Sequence, residues 1–417
     1  MPSIHSKATS CRLCGDTKLK CVVPMNPIPI GEHYTETKLD DAERYPIDIY
    51  QCPSCGAVQT LDNIDPSFLW KDYTYFSGQT NKIVEHFSEF CSKTLSQFPD
   101  KKSILDIGSN DGSLLRQFKD KGLEVVGIDP ADTVVDVANA SGINTFLGLF
   151  NEQNAVQFFP EKKFDIITAF NVFAHSQEMP SMLKGVQYLL ADDGVFCFEV
   201  QYLSDIINKS ILGTFFHEHM IHYSYYSAEQ FMNSADLTIV DFDRNNIQNG
   251  SIIFYACFKN STAAVTSRRT DKLEALKNEE LNLGVDNFSW SYSFNSAIAR
   301  TRSSAMNFLE NIESLCAYGA ARSGPTLALQ FEVDKKLARI FDDHPSKVGK
   351  FSPFLGIRVE PTSNLSADKV DYCVILAYIH YKNIIRKHHD YILQGGKFIL
   401  LWPEFRVVDE ANCHEFL

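Results

Sequence analysis

The chain has 417 residues, 44% apolar and 22% charged, which excludes wholesale disorder and, at about 150 residues per domain, leaves room for two or three cores. With 52 acidic against 39 basic side chains the net charge is −13, which argues against a broad nucleic-acid or anionic-membrane surface while allowing a local phosphate pocket. No apolar run approaches the roughly 20 residues that span a bilayer.

The opening MPSIHSKATS has none of the apolar character of a secretory leader. Eleven cysteines make an odd number, and Cys197, Cys257 and Cys373 stand singly inside apolar runs. That pattern reads as reduced, buried thiols and predicts a cytoplasmic protein.

The first recognisable elements are Cys11-Arg-Leu-Cys14-Gly15 and Cys52-Pro-Ser-Cys55-Gly56. A C-x-x-C turn places two thiolates on one side of a tight loop, and two such turns supply the four soft donors of a tetrahedral zinc ion. The glycine after each pair lets the backbone fold back so that amide groups face the sulfurs. Four protein sulfurs leave no open coordination position, so a structural role for Zn2+ is expected within a zinc-binding domain over 1–70. The 37 intervening residues exceed ordinary ribbon spacing, and an inserted loop from Val22 to Tyr45 is expected to bring the knuckles together. A redox pair and four unrelated thiols are the alternatives.

Ser103-Ile-Leu-Asp106-Ile-Gly108-Ser-Asn110-Asp-Gly112 then reads as a buried strand and a glycine loop, with a helix starting near Ser113. Strand-like Glu124 to Asp129 and Phe164 to Asn171 follow, alternating with helical runs such as Met182 to Leu190. This alternation predicts a doubly wound parallel sheet. Ligands sit at the carboxyl ends of such strands, which gathers Gly108, Asn110, Asp129 and Asn171 around one crevice. The loop is not G-x-G-x-x-G, and Asp106 and Asp111 would serve a pyrophosphate poorly. A cationic or zwitterionic ligand carrying an adenosine fits better, with Asp129 accepting the ribose hydroxyls. The loop and that Asp resemble the Rossmann-like S-adenosylmethionine-dependent methyltransferases. A dinucleotide site is one alternative, and an Asp129 that only caps the next helix is another. A fifth strand (Val195 to Gln201), a helix from Ser227 to Ala235 and a hairpin of Leu237 to Asp243 with Ser251 to Lys259 complete a methyl-donor domain over 71–262.

Between the fifth strand and that hairpin lies Gly213-Thr-Phe-Phe216-His217-Glu218-His219-Met-Ile-His222-Tyr223, dense in proton-transfer groups. Histidine titrates near neutrality, and a neighbouring carboxylate orients it, so the segment reads as a general base beside the donor. An aromatic crossover packed on the sheet and a metal site are the alternatives. Tyr73 and Tyr75, upstream, and His175, just past the fourth strand, are expected on the same rim.

Residues 263–417 read as a polar helical arm (Lys272 to Leu283 especially) and then a second Rossmann-like α/β unit. Its opening Cys316-Ala-Tyr-Gly319-Ala-Ala-Arg322-Ser-Gly324 repeats the strand, glycine loop and helix, with Arg322 where anions bind well. Two nucleotide-type folds suggest two ligands, a donor and an acceptor; a duplicate that only buttresses the first is the alternative.

Taken together, the C-x-x-C pairs, the IGSNDG loop, the HEH segment and the YGA…G…L unit resemble, over nearly the whole chain, the sugar C-methyltransferases that act on nucleotide-linked deoxy-keto-sugars. The resemblance implies S-adenosylmethionine and Zn2+ as cofactors and methylation at a carbon α to a ketone, C-3 of a 4-keto sugar, through an enolate. It implies His219 as base, with Glu218, Tyr75 and His175 around the sugar. Asp106, Gly108, Asn110, Asp129 and Asn171 are then the donor residues, and Tyr73, His217, Tyr223 and Arg322 the acceptor residues. Phe216 stands where the family has a tyrosine, and Arg322 stands one position before its usual lysine; both bear on the acceptor more than on the donor. An O- or N-methyltransferase and a non-catalytic nucleotide-sugar-binding protein are the competing readings. No nucleic-acid or membrane partner is expected; the oligomeric state is left open, a monomer included.

Overall fold

The computed structural model describes residues 4–30, 34–38, 43–69, 76–368 and 370–416. Tyr73 and Tyr75 lie outside the described residues. The chain divides into two compact units. The first comprises Met1–Lys20, Tyr50–Asp205 and Met220–Phe288, and the second Cys21–Ile49, Ile206–His219 and Ser289–Leu417. Among the described residues no helix is long and apolar enough to cross a membrane.

Parallel strands covered on both faces need nearly continuous apolar runs, and the first unit supplies them. Its sheet holds β1 (Ser103–Ile107), β2 (Glu124–Asp129), β3 (Thr145–Leu147), β4 (Phe164–Phe170), β5 (Leu190–Gln201), β6 (Leu237–Asn245) and β7 (Ser251–Phe258). The order is β3-β2-β1-β4-β5-β7-β6, and β7 runs antiparallel to both of its neighbours. The expected Rossmann-like sheet is therefore present, with its strand order reversing between β1 and β4. At such a point the loops leaving adjacent strands diverge and open a crevice.

The helices follow from periodicity. α1 (Asn81–Gln97) carries no glycine or proline and buries Phe87, Phe90, Cys91 and Thr94, one stripe at i, i+3, i+4 and i+7. Each buried phenylalanine contributes about 1.5–3 kcal/mol. α2 (Ser113–Lys119), α3 (Asp132–Ala140), α4 (Glu152–Phe158) and α5 (Met179–Leu189) are the crossovers. α6 (Tyr225–Asn233) starts on a capping box in which Ser224 and Ser227 satisfy each other's backbone amides. Phe173 lies 5.1 Å from both Phe196 and Phe198, and Phe198 lies 5.3 Å from Phe254, an aromatic centre for one face of the sheet. α7 (Thr270–Leu283) adds Leu273 and Leu276 to that core.

The second unit has its own sheet of β8 (Leu315–Tyr318), β9 (Leu337–Asp342), β10 (Val359–Pro361), β11 (Tyr372–Ile375), β12 (Lys397–Leu400) and β13 (Arg406–Val408). The order is β10-β9-β8-β11-β12-β13, parallel except for β13. It is a second Rossmann-like sheet, with α8 (Gly324–Gln330) after its glycine loop. The insertion between the cysteine pairs folds into this unit. Asn26 and Gln330 bond in both directions at 2.8 Å, and Tyr34 Oη donates to Ala320 O at 2.8 Å.

Candidate active site

The two cysteine turns are copies in structure as well as in sequence. Gly15 N donates to Cys11 O at 2.9 Å and Gly56 N to Cys52 O at 2.9 Å, both glycines at positive φ. At Gly56 a side chain is excluded twice over, because a Cβ would stand 2.5 Å from Tyr226 Cδ1. The four sulfurs of Cys11, Cys14, Cys52 and Cys55 all lie within 4.8 Å of one another, with Cys11 to Cys55 at 3.6 Å and Cys14 to Cys52 at 3.5 Å. A zinc ion about 2.3 Å from each of four tetrahedral sulfurs sets their separations near about 3.8 Å, so the set fits structural zinc. The hydrogen bond from Cys55 holds the Cys11 thiol well below its ordinary value, and Gln59 Nε2 donates to the Cys11 sulfur at 3.1 Å.

At the other candidate centre, the loop after β1 turns through three left-handed residues, Gly108, Asn110 and Gly112. Gly108 must be glycine: its φ is +69°, and an added Cβ would lie 2.3 Å from Val172 Cγ2. The loop is fixed to β2 by Asp129, whose two carboxylate oxygens accept from Asn110 N and Ala131 N, each at 2.9 Å. Asp106 accepts from Thr168 Oγ1 at 2.7 Å. Burial pushes Asp106 up to about 7 and raises Asp129 as well. The turn Ser77–Gln79, which leads into α1, lies on the loop: Ser77 N donates to Asn110 Oδ1 at 2.9 Å and Gly78 N to Asp111 Oδ2 at 2.8 Å. Two buried carboxylates at the strand ends favour a cationic ligand and repel a pyrophosphate. The residues therefore fit a sulfonium donor, and the structure brings Asp106, Gly108, Asn110 and Asp129 together as expected.

Asn171, at φ +55°, closes β4 and reaches Glu199 Oε2 at 3.5 Å. This opens onto a group that sequence reasoning missed. Glu199 is fully buried near the end of β5, where Asn245 Nδ2 donates to it at 2.6 Å and His86 of α1 meets it at 2.9 Å. Its one signal in the sequence is an acid inside the apolar run Val195-Phe-Cys-Phe-Glu199-Val.

The histidine segment is divided between the units. His217, Glu218 and His219 belong to the second, while His175, His222 and Tyr223 belong to the first. In the second unit His219 Nδ1 lies 3.0 Å from Thr214 O. Thr214 Oγ1 lies 3.1 Å from the same nitrogen. Because a carbonyl oxygen only accepts, the contact with Thr214 O is satisfied by the tautomer that carries its proton on Nδ1 and leaves Nε2 basic. Phe216 packs on the His219 ring at 3.9 Å between centroids, and Arg322 lies over Phe216 at 5.7 Å. Glu218 is buried, with Arg322 Nη1 at 4.0 Å. His217 is buried and donates from Nε2 to Pro46 O at 3.0 Å, an anchoring bond. In the first unit His222 is buried and held down to about 3 by burial first and His175 second. Tyr223 is fully buried against Phe173 and Phe198.

Three family models match in succession: a putative zinc binding domain over residues 11–70, a methyltransferase domain over 81–241 and a C-methyltransferase C-terminal domain over 246–403. C-methyltransferase NovU of Streptomyces niveus is 26% identical over 99% of this chain and 100% of its own. The chain is an S-adenosylmethionine-dependent methyltransferase, similar along its length to a C-methyltransferase. A ubiquinone biosynthesis O-methyltransferase of Actinobacillus pleuropneumoniae is 29% identical over 23% of the methyltransferase chain and 44% of its own. That match spans less than half of the relative. Among solved structures, the magnesium protoporphyrin IX methyltransferase of Synechocystis PCC 6803 is 17% identical over 44% of this methyltransferase and 89% of that chain, at a TM-score of 0.34.

Proposed function

We propose that the enzyme methylates the carbon α to the ketone of a nucleotide-linked deoxy-keto-sugar, C-3 of a 4-keto sugar, in the cytoplasm and without a nucleic-acid or membrane partner. S-adenosylmethionine supplies an electrophilic methyl group. A C–H carbon becomes nucleophilic only when a base removes its proton beside a carbonyl, and His219 Nε2 is the base. The observation that carries this is the contact of Nδ1 with Thr214 O, which favours the tautomer that accepts a proton at Nε2. His175 and Tyr75 hydrogen-bond the enolate oxygen, the kind of contact that contributes most when charge develops there. Glu218 and Arg322 steady the acceptor beside Phe216. The second Rossmann-like sheet supports a nucleotide half: Asp342 accepts from Ala320 N and His344 N at 2.7 Å each, the same pair of bonds that Asp129 makes in the donor unit. Asp106, Gly108, Asn110, Asp129 and Asn171 hold the donor.

The test is exchange of the α-proton of a nucleotide-linked 4-keto-6-deoxy-hexose with deuterated solvent, followed by mass analysis of the methylated product. His219→Ala is expected to slow exchange and turnover together by about 10²–10⁴-fold. Full turnover in that variant, or a methyl group found on oxygen, would overturn the reading.

A further inference from the structure

We infer that the zinc centre is a positioning device for the histidines on which the proposed base chemistry rests, acting through a backbone ladder anchored by Gln59. The ladder lies within the first unit. Gln59 Nε2 donates to Cys11 Sγ at 3.1 Å, and its Oε1 accepts from Arg12 N at 2.8 Å. One side chain thus ties a zinc-ligating sulfur to the strand Val58–Thr60. That strand pairs antiparallel with Ile221–His222, Gln59 opposite Ile221 and Val58 opposite His222. Thr60 N donates to Met220 O at 3.1 Å, and Met220 N donates on to Ala174 O at 3.1 Å. Met220 follows His219 in the chain, and Ala174 precedes His175. A single run of bonds therefore leads from the metal ligands to both histidine-bearing segments.

The packing is continuous along the same route. Cys11, Cys52 and Cys55 share one apolar cluster with Ala174, Met220 and Tyr223. Arg12, buried at 5% exposure, locks the far side by donating from Nε to Thr60 O at 3.0 Å and from Nη2 to Asn63 Oδ1 at 2.6 Å. A two-residue strand such as Ile221–His222 has too few bonds to hold its own register, so it takes its place from what it pairs with. What it pairs with is the strand that the zinc knuckles hold. None of the bonds named in this ladder ends on the donor loop, whose own bonds run to Ile128 and Asp129 of β2 and to the turn before α1. Loss of zinc is thereby expected to loosen the segment that carries His175 and the chain that leaves His219 at Met220, and to leave the donor loop intact.

The experiment is amide hydrogen exchange on the full chain, with zinc bound and after removal by a chelator, the loss being verified by elemental analysis. Exchange at Thr60 and Met220 is expected to rise about tenfold or more. Gly108 to Gly112 should keep their protection, S-adenosylmethionine should bind with unchanged affinity, and added zinc should reverse the change. Unchanged exchange at Thr60 and Met220, or protection lost evenly across the first unit, overturns the inference. Gln59→Leu keeps all four cysteines and covers the case in which the metal-free chain unfolds. It is expected to raise exchange at Met220 and lower kcat by about tenfold or more with an unchanged KM for S-adenosylmethionine, the scale typical of groups that orient metal ligands. Wild-type exchange and kcat in that variant also overturn the inference. A wild-type enzyme that never exchanges the sugar α-proton would sink the enolate reading alone, since the amide data stand without it.

Discussion

His86 Nε2 lies 2.9 Å from Glu199 Oε1, joining α1 to the end of β5 inside the first unit. Burial alone would lower His86, but the bond and charge of Glu199 outweigh it, and the net shift is upward. A histidine raised on folding adds stability that is complete below its ordinary value and lost as pH rises through the higher folded one. Stability should therefore fall as pH rises from the ordinary histidine value through the higher folded one, and His86→Gln should flatten that part of the profile. Denaturant melts at both ends of the range measure it, and an equal slope in the variant would refute the assignment.

Asp106 leads to a prediction about donor binding. Burial pushes it up to about 7 from 3.8, so in the empty protein it keeps its proton through most of the acid range. This shift costs stability as pH climbs from the ordinary carboxylate value to about 7, and none further above. A cationic donor favours the ionised form, so below neutrality binding must release a proton. Affinity for S-adenosylmethionine should rise by up to about tenfold per pH unit well below about 7, the slope fading near that value and vanishing above it. Calorimetry in two buffers of different ionisation enthalpy reads the proton directly. Asp106→Asn is expected to bind more weakly and without the slope.

Gly108→Ala tests the loop geometry. The positive φ and the 2.3 Å approach to Val172 Cγ2 both oppose a side chain there. A loss of about 1–3 kcal/mol in stability is expected, with donor binding weakened by at least about tenfold. Adding Val172→Ala should recover the steric part but not the backbone part. Full recovery would show that φ is not the constraint.

Glu280 tests how α7 is held. It is 1% exposed, pushed up to about 7 by burial, and accepts from Tyr202 Oη at 2.7 Å, Tyr225 N at 2.5 Å and Tyr226 N at 2.8 Å. Glu280→Ala strands three buried donors and should cost about 3 kcal/mol or more. Glu280→Gln keeps an acceptor oxygen and should cost clearly less. Thermal melts of both variants decide it, and equal losses would mean that packing rather than hydrogen bonding fixes the helix.

Much of the donor unit could be read from local pattern. Ser103 to Ile107, the glycine loop and a helix from Ser113 stand where the sequence put them, because apolar runs, positive-φ glycines and helix starts are local signals. The helix expected from Lys272 begins two residues earlier, at Thr270. The cysteine tetrad was equally legible, since its spacing is itself the ligand geometry. The Glu199 group was not: His86, Glu199 and Asn245 come from three separated segments, and each taken alone is an ordinary polar residue. Nor was the fate of the insertion, whose bonds to Gln330 connect residues 304 positions apart.

By itself the sequence determined the order of elements, the zinc ligands and the acidic donor loop, because each depends on residues a few positions apart whose backbone geometry follows from their chemistry. Only the tertiary structure decided that 21–49 and 206–219 belong to the second unit, that Tyr223 is fully buried against Phe173 and Phe198, and that His219 turns Nδ1 to a carbonyl. Burial and hydrogen-bond partnership are properties of what surrounds a residue, and those surroundings are assembled from distant parts of the chain.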